Sequence, residues 1–358
     1  MVRRTLAFLC LASLGALCDR ALQATCFAQA PPQLLGRVGD NLVSSAVSPD
    51  GRLVAGLRSA GPDQWSVTVW ETDGGREVLT GPVAHPPATS NALAWSPDGQ
   101  MLAVGAGGEV RLWQVALGES RILPAEWLVR DVRISQNWVL ARCDNALFVW
   151  DWNTGKLVKR IGQNHLLAAA LDKSAGVLAA ASFQDSVRLY SLPQGKLLKT
   201  LPAGPATVNL EFAENGERLA AAFRYRSDRG QDAAVYFDWR VGRPVFRMPE
   251  HDMVGFSVAA DGSRFLTRGP QGGHIWDPQK RQSLLEFNLP SLQTDSLSSD
   301  GKWVASLPAQ QNQVILWSSD GQGEPKPLAS QAAPQRFQFF APGLLQVLDG
   351  ACSVWKVD

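Results

Sequence analysis

Proton-transfer chemistry would have to come from four imidazoles: His85, His165, His251 and His274. Histidine is the natural proton shuttle because its pKa lies near neutrality. His165, Ser182 and Asp185 stand in one stretch and are the residue types of a base, a nucleophile and an orienting carboxylate. That stretch lacks the G-x-S-x-G turn that exposes a hydrolase serine. No glycine-rich loop of the phosphate- or dinucleotide-cradling kind occurs. The histidine spacing follows a repeat rather than a ligand cluster, and no C-x-x-C or Cys/His grouping marks a zinc site. The sequence therefore points to no catalytic residue, no cofactor site and no metal site.

Thirteen tryptophans could stack on a sugar or a quinone, but their spacing first describes an architecture. A short β-branched run closes on an aromatic at Trp70, Trp113, Trp150, Tyr190, Phe237, Trp276, Trp317 and Trp355. Successive steps are 43, 37, 40, 47, 39, 41 and 38 residues, near the period of a four-stranded propeller blade. The periodic tryptophans read as inter-blade packing. Trp65, Trp95, Trp239 and Trp303 fall off the position and read as better contact candidates. Within a unit, Ala92 to Trp95 predicts a strand, Ser96-Pro97-Asp98-Gly99 a tight turn, Met101 to Val104 a second strand, and Gly105 to Gly108 another turn. Val110 to Trp113 and Arg121 to Leu123 follow as third and fourth strands. Ser48-Pro49-Asp50-Gly51, Ala260-Asp261-Gly262 and Ser299-Asp300-Gly301 repeat the first turn.

This pattern resembles the WD-repeat family over residues 33–358, in an exported, bacterial-type form with degenerate repeats. The strongest match is Leu147-Phe148-Val149-Trp150-Asp151 followed by Asn153-Thr154-Gly155-Lys156. The Gly-His pair that opens many family repeats is missing. The family's turn aspartate is matched at Asp144, Asp185 and Asp349. The resemblance implies that His165, Ser182 and Asp185 form a structural hydrogen-bond chain to Tyr190 rather than a triad. The expected fold is all-β: one propeller of eight four-stranded blades, with seven as the alternative. The last repeat ends at Trp355 and lacks an outer strand, so Gln33 to Val38 is expected to supply it and close the ring. Leu34 and Leu35 are expected to be buried there.

Residues 1–30 read as a signal peptide. Arg3 and Arg4 precede an apolar stretch from Thr5 to Cys18, and Ala28-Gln29-Ala30 is a cleavage signal. Cys18 and Cys26 follow Leu17 and Thr25, where a lipid-attachment motif takes a small residue. The expected product, residues 31–358, is periplasmic or secreted, with no membrane span. Its charge is near neutral, so no global field attracts nucleic acid or an anionic membrane. Cys143 and Cys352 fall in different repeats and are expected to be free thiols.

The function these features suggest is an exported, non-enzymatic protein-interaction scaffold with an unidentified protein partner. An accessory component of an envelope assembly system is the alternative. An eight-bladed quinoprotein-type enzyme is a further one, disfavoured by short inter-blade loops. The fifth repeat is lengthened between its second and third strands. That insertion makes Arg224, Tyr225, Arg226, Asp228 and Arg229 the candidate partner contacts, because Arg and Tyr are enriched at interface hot spots. Arg58 to Gln64 is a milder extension of the same kind.

Overall fold

The computed structural model describes residues 31–61, 64–89, 91–162, 166–172, 176–182, 186–202, 207–213, 216–223, 234–248, 255–269, 272–287, 295–308, 312–322, 324–328 and 332–357. These form eight antiparallel sheets of four strands each, arranged as blades. Blade 1 runs Leu42–Val47, Leu53–Gly61, Gln64–Glu71 and Glu77–Val83, from innermost to outermost strand. Blades 2 to 7 repeat this order along the chain. Blade 8 departs from it. Its inner three strands are Arg336–Ala341, Leu344–Leu348 and Cys352–Lys356, and its outer strand is Gln33–Val38 from the opposite end of the chain. Gln33 pairs with Lys356 and Val38 with Cys352. The count is eight, and the N-terminal segment closes the ring.

Each repeat aromatic explains why its blade sits where it does. Trp113 of blade 2 packs with Leu79 and Val83 of blade 1. Trp150 packs with Leu112 and Leu123 of blade 2, and Trp276 with Phe246 and Met248 of blade 5. Trp70 of blade 1 packs with Leu348, Cys352 and Val354 of blade 8, which carries the pattern across the closure. Every repeat aromatic thus fills the gap to the preceding blade, where burying so large an apolar side chain stabilises most. The ring of Trp113 comes so close to Gly81 that a Cβ there would lie 2.2 Å from it. That close approach is why the outer strand of blade 1 carries glycine at this point.

The turns that order each blade are built from local hydrogen bonds. The Ser48 hydroxyl donates to Asp50 and accepts from the Leu53 N–H, while Asp50 accepts from the Arg52 N–H. Ser96, Asp98 and Met101 repeat this arrangement, as do Ser298, Asp300 and Trp303. In blade 7 the hydroxyl is therefore Ser298, one residue before the Ser299 that the turn motif marks. In blade 2 the second strand continues through Ala106, so its next turn is Gly107-Gly108 alone.

Two packing expectations are corrected. Trp95, Trp239 and Trp303 are buried core residues rather than contact candidates, and Trp65 is partly buried against the same core. Trp95 lies on an innermost strand and donates its indole N–H to the Ala46 carbonyl of blade 1 at 3.0 Å. Trp239 donates to the Gly216 carbonyl at 2.7 Å. In the closing strand, Leu34 is exposed, while Leu35 and Val38 pack inward. The strand is held instead by its ladder and by Arg37, which donates to the buried Asp349 carboxylate at 2.5 Å and to Ser353 at 3.1 Å.

Candidate interaction site

Connections between second and third strands, and those joining one blade to the next, emerge on one face of the ring. In blades 2 and 3 the former contain two residues each, Gly107-Gly108 and Asp144-Asn145. In blade 5 the flanking strands end at Phe223 and resume at Ala234, with Ala222 paired to Ala234. The expected contacts Arg224, Tyr225, Arg226, Asp228 and Arg229 all belong to that long connection. They lie outside the described residues, as do His165, Asp185 and His251.

On the described part of this face, a feature missed by sequence reasoning stands out at the junction of blades 2 and 3. Trp127 is 45% exposed and Leu128 is exposed beside it. The loop that carries them is pinned at both ends: the Ala125 N–H donates to the Gly108 carbonyl and the Val129 N–H to the Gly107 carbonyl, each at 2.8 Å. Glu126 takes a φ of 60°, which turns the chain sharply between them. The Cys143 thiol contacts the Trp127 carbonyl from below at 3.5 Å. Residues on either side of Trp127 in the chain form ion pairs. Arg130 binds Asp144 with two hydrogen bonds, at 2.8 and 3.1 Å, and Arg160 lies 3.3 Å from Glu126. The Arg130 hydrogen bonds hold the Asp144 carboxyl below its usual value. An exposed tryptophan on a pinned loop, in a segment that also carries Arg–carboxylate pairs, has the composition of an interface hot spot. Its signal in the sequence was a tryptophan between two blades rather than inside one.

The remaining titratable groups support packing. His274 stacks on Trp276, with ring centroids 5.4 Å apart, and burial lowers its pKa. His85 lies against Gly107. Trp276 donates to Thr267, and Trp317 to Ser306, each at 2.7 Å, so a hydroxyl-to-aromatic link between second and third strands recurs in blades 6 and 7. Near the ring axis, Glu211 accepts from Asn209 at 2.9 Å and from the Val258 N–H of blade 6 at 3.0 Å. Desolvation raises its pKa, against the lowering effects of Asn209, Arg133 and Val258. Cys143 and Cys352 are free and buried, and burial pushes both thiols up to about 12. Thiols held protonated in this way are poor nucleophiles. Among the described residues, no group of three His, Cys, Asp or Glu side chains could hold a metal ion.

Residues 78–114, from the outer strand of blade 1 through the third strand of blade 2, match the family model described as WD domain, G-beta repeat. That stretch is similar to a WD40 repeat. Among curated proteins, eukaryotic translation initiation factor 3 subunit I of Neurospora crassa is 23% identical over 176 residues, covering 45% of this chain and 49% of its own length. This chain thus matches about half of that relative. Among solved structures, the C-terminal WD40 domain of Sif2 superposes with a TM-score of 0.70 at 17% identity, over 92% of this chain and 99% of that one. The computationally designed Ika8 protein gives 0.65 at 18%, over 91% and 100%. The β-propeller domain of Myceliophteria thermophila Cps50 (Swd1) gives 0.57 at 14%, over 92% and 100%. At such identities the likeness is one of fold. Among the described residues, no helix is long and apolar enough to cross a membrane.

Proposed function

We propose that this protein is an exported, non-enzymatic propeller that holds a protein partner on its loop face. The carrying observation is the exposed Trp127, mounted on paired backbone hydrogen bonds in a segment whose Glu126 and Arg130 pair with Arg160 and Asp144. A rigid mount lowers the ordering cost of binding, so contact area there converts more fully into affinity. WD40 propellers are typically protein-interaction scaffolds, and the curated relative is named as a subunit of a larger factor, which agrees with an assembly role. Arg224, Tyr225, Arg226, Asp228 and Arg229, between Phe223 and Ala234, are proposed as further partner contacts.

Affinity capture from the envelope fraction tests this reading. Replacing Arg224, Tyr225, Arg226 and Arg229 with Ala is expected to leave the melting temperature unchanged and to lower partner recovery at least about tenfold. Full recovery by the variant would remove the blade 5 connection from the site. The export part is checked by intact mass: the account expects a mature N-terminus at Pro31, and retention of residues 1–30 would count against it.

A further inference from the structure

The rim opposite the loop face is not evenly charged. The last hairpins of blades 3, 4 and 5, residues 151–159, 191–199 and 238–243, carry six Lys or Arg against only Asp151 and Asp238. The matching segments of blades 7 and 1, residues 318–326 and 71–79, carry five acids against two cations. A chain of formal charge +1 therefore has a basic arc over three neighbouring blades. Within that arc stand exposed aliphatic side chains: Leu157 at 50%, Leu197 at 49% and Val241 at 58%, with Leu198 also exposed. Scattered apolar residues on a surface need no explanation, but Leu157 and Leu197 recur in register, with Val241 in the adjoining turn of blade 5. Leu157 opposes Trp150, and Leu197 opposes Tyr190 in the next blade. Exposed Lys156 and Lys196 precede them, and exposed Arg243 takes the same place before Pro244, which opposes Phe237.

The three hairpins are locked to one another. Lys159 of blade 3 donates to the Gly195 carbonyl of blade 4 at 2.9 Å. Lys199 of blade 4 donates to the Arg240 and Val241 carbonyls of blade 5, at 2.8 and 3.2 Å. The arc is thus one rigid surface with alternating cationic and aliphatic tips.

We infer that this rim docks on an anionic phospholipid surface. Headgroup phosphates meet Lys156, Lys196 and Arg243, while Leu157, Leu197 and Val241 enter the boundary of the acyl region, the mixture of contacts that holds interfacial segments on bilayers. An acidic protein surface would satisfy the cations alone and leave the aliphatic tips against polar groups. Docking by this rim leaves the loop face turned away from the bilayer, and it does not depend on the loop-face reading.

Co-sedimentation of the chain with vesicles provides the test, using phosphatidylcholine alone and phosphatidylcholine with about one-third phosphatidylglycerol. The parent chain is expected to bind only the mixed vesicles and to release as salt is raised. Lys156→Gln, Lys196→Gln and Arg243→Gln together are expected to lower the partition coefficient by about a hundredfold, and Lys196→Gln alone by about fivefold, with unchanged thermal melting. Leu157→Ser with Leu197→Ser is expected to weaken binding while keeping its salt dependence. Absent binding by the parent chain, equal binding to both vesicle types, or insensitivity to these changes would overturn the inference. So would loss of concentration-dependent self-association in vesicle-free buffer as the only effect, which would make a second copy the occupant.

Discussion

Burial decides what the ionisable side chains of this propeller do. Glu211 shows the sign most clearly. Desolvation raises its pKa, so the folded chain keeps a proton that the unfolded chain has released. Its effect on stability is least unfavourable below the ordinary carboxylate pKa and worsens as pH rises through the raised value. Glu211→Gln is expected to flatten the fall of the thermal midpoint as pH rises above the ordinary carboxylate range; an unaltered pH profile would show that the ring's inner strands do not desolvate this carboxyl. Cys143 and Cys352 were legible as free thiols from their separation by five repeats, and their burial accounts for their raised pKa values. The tryptophans were less legible. Trp70, Trp113 and Trp150 announce themselves by period, whereas Trp95 and Trp303 are buried at the innermost and second strands, where no period marks them. Reading a tryptophan outside the repeat position as the better contact candidate fails at these residues, because a propeller has core on both faces of its inner strands. Trp127 was missed for the opposite reason: it lies in a connection, where an aromatic carries no structural duty.

At the scale of elements, the third strand of each blade was readable because its aromatic must reach the preceding blade. The links between outer strands were not. Arg121, Lys159 and Lys199 each donate to carbonyls in the last hairpin of the next blade. Leu79 and Leu285 meet the equivalent glycines, Gly118 and Gly321, by apolar contact. One position thus serves one purpose with two chemistries, so no residue type recurs to reveal it. The closing strand was foreseen from the missing outer strand of blade 8, but its energetics rest on Arg37 and the ladder to Cys352–Lys356 rather than on Leu34. Deleting residues 31–39 is expected to cost more than about 3 kcal/mol, since several ladder hydrogen bonds at roughly 1 kcal/mol each go and the Asp349 carboxylate loses its guanidinium. Chemical denaturation of the two chains measures this. A midpoint equal to that of the full chain would refute closure by this strand.

For the whole molecule, eight blades and a single closure produce a rigid ring whose two faces differ. One face carries the inter-blade connections, with Trp127; the other carries the hairpin rim, basic over blades 3 to 5. A nearly neutral total conceals that division, which emerges only once the repeats are placed around a ring. The central claim is that the loop face holds a protein partner, and site-specific photo-crosslinking tests it most directly. A photoreactive residue in place of Leu128, beside Trp127, is compared with one in place of Leu117, in the last hairpin of blade 2. The expected result in the envelope fraction is one discrete protein adduct from position 128, abolished by Trp127→Ala with Arg130→Ala and absent from position 117. No adduct at 128, or an adduct that survives both substitutions, would contradict the account.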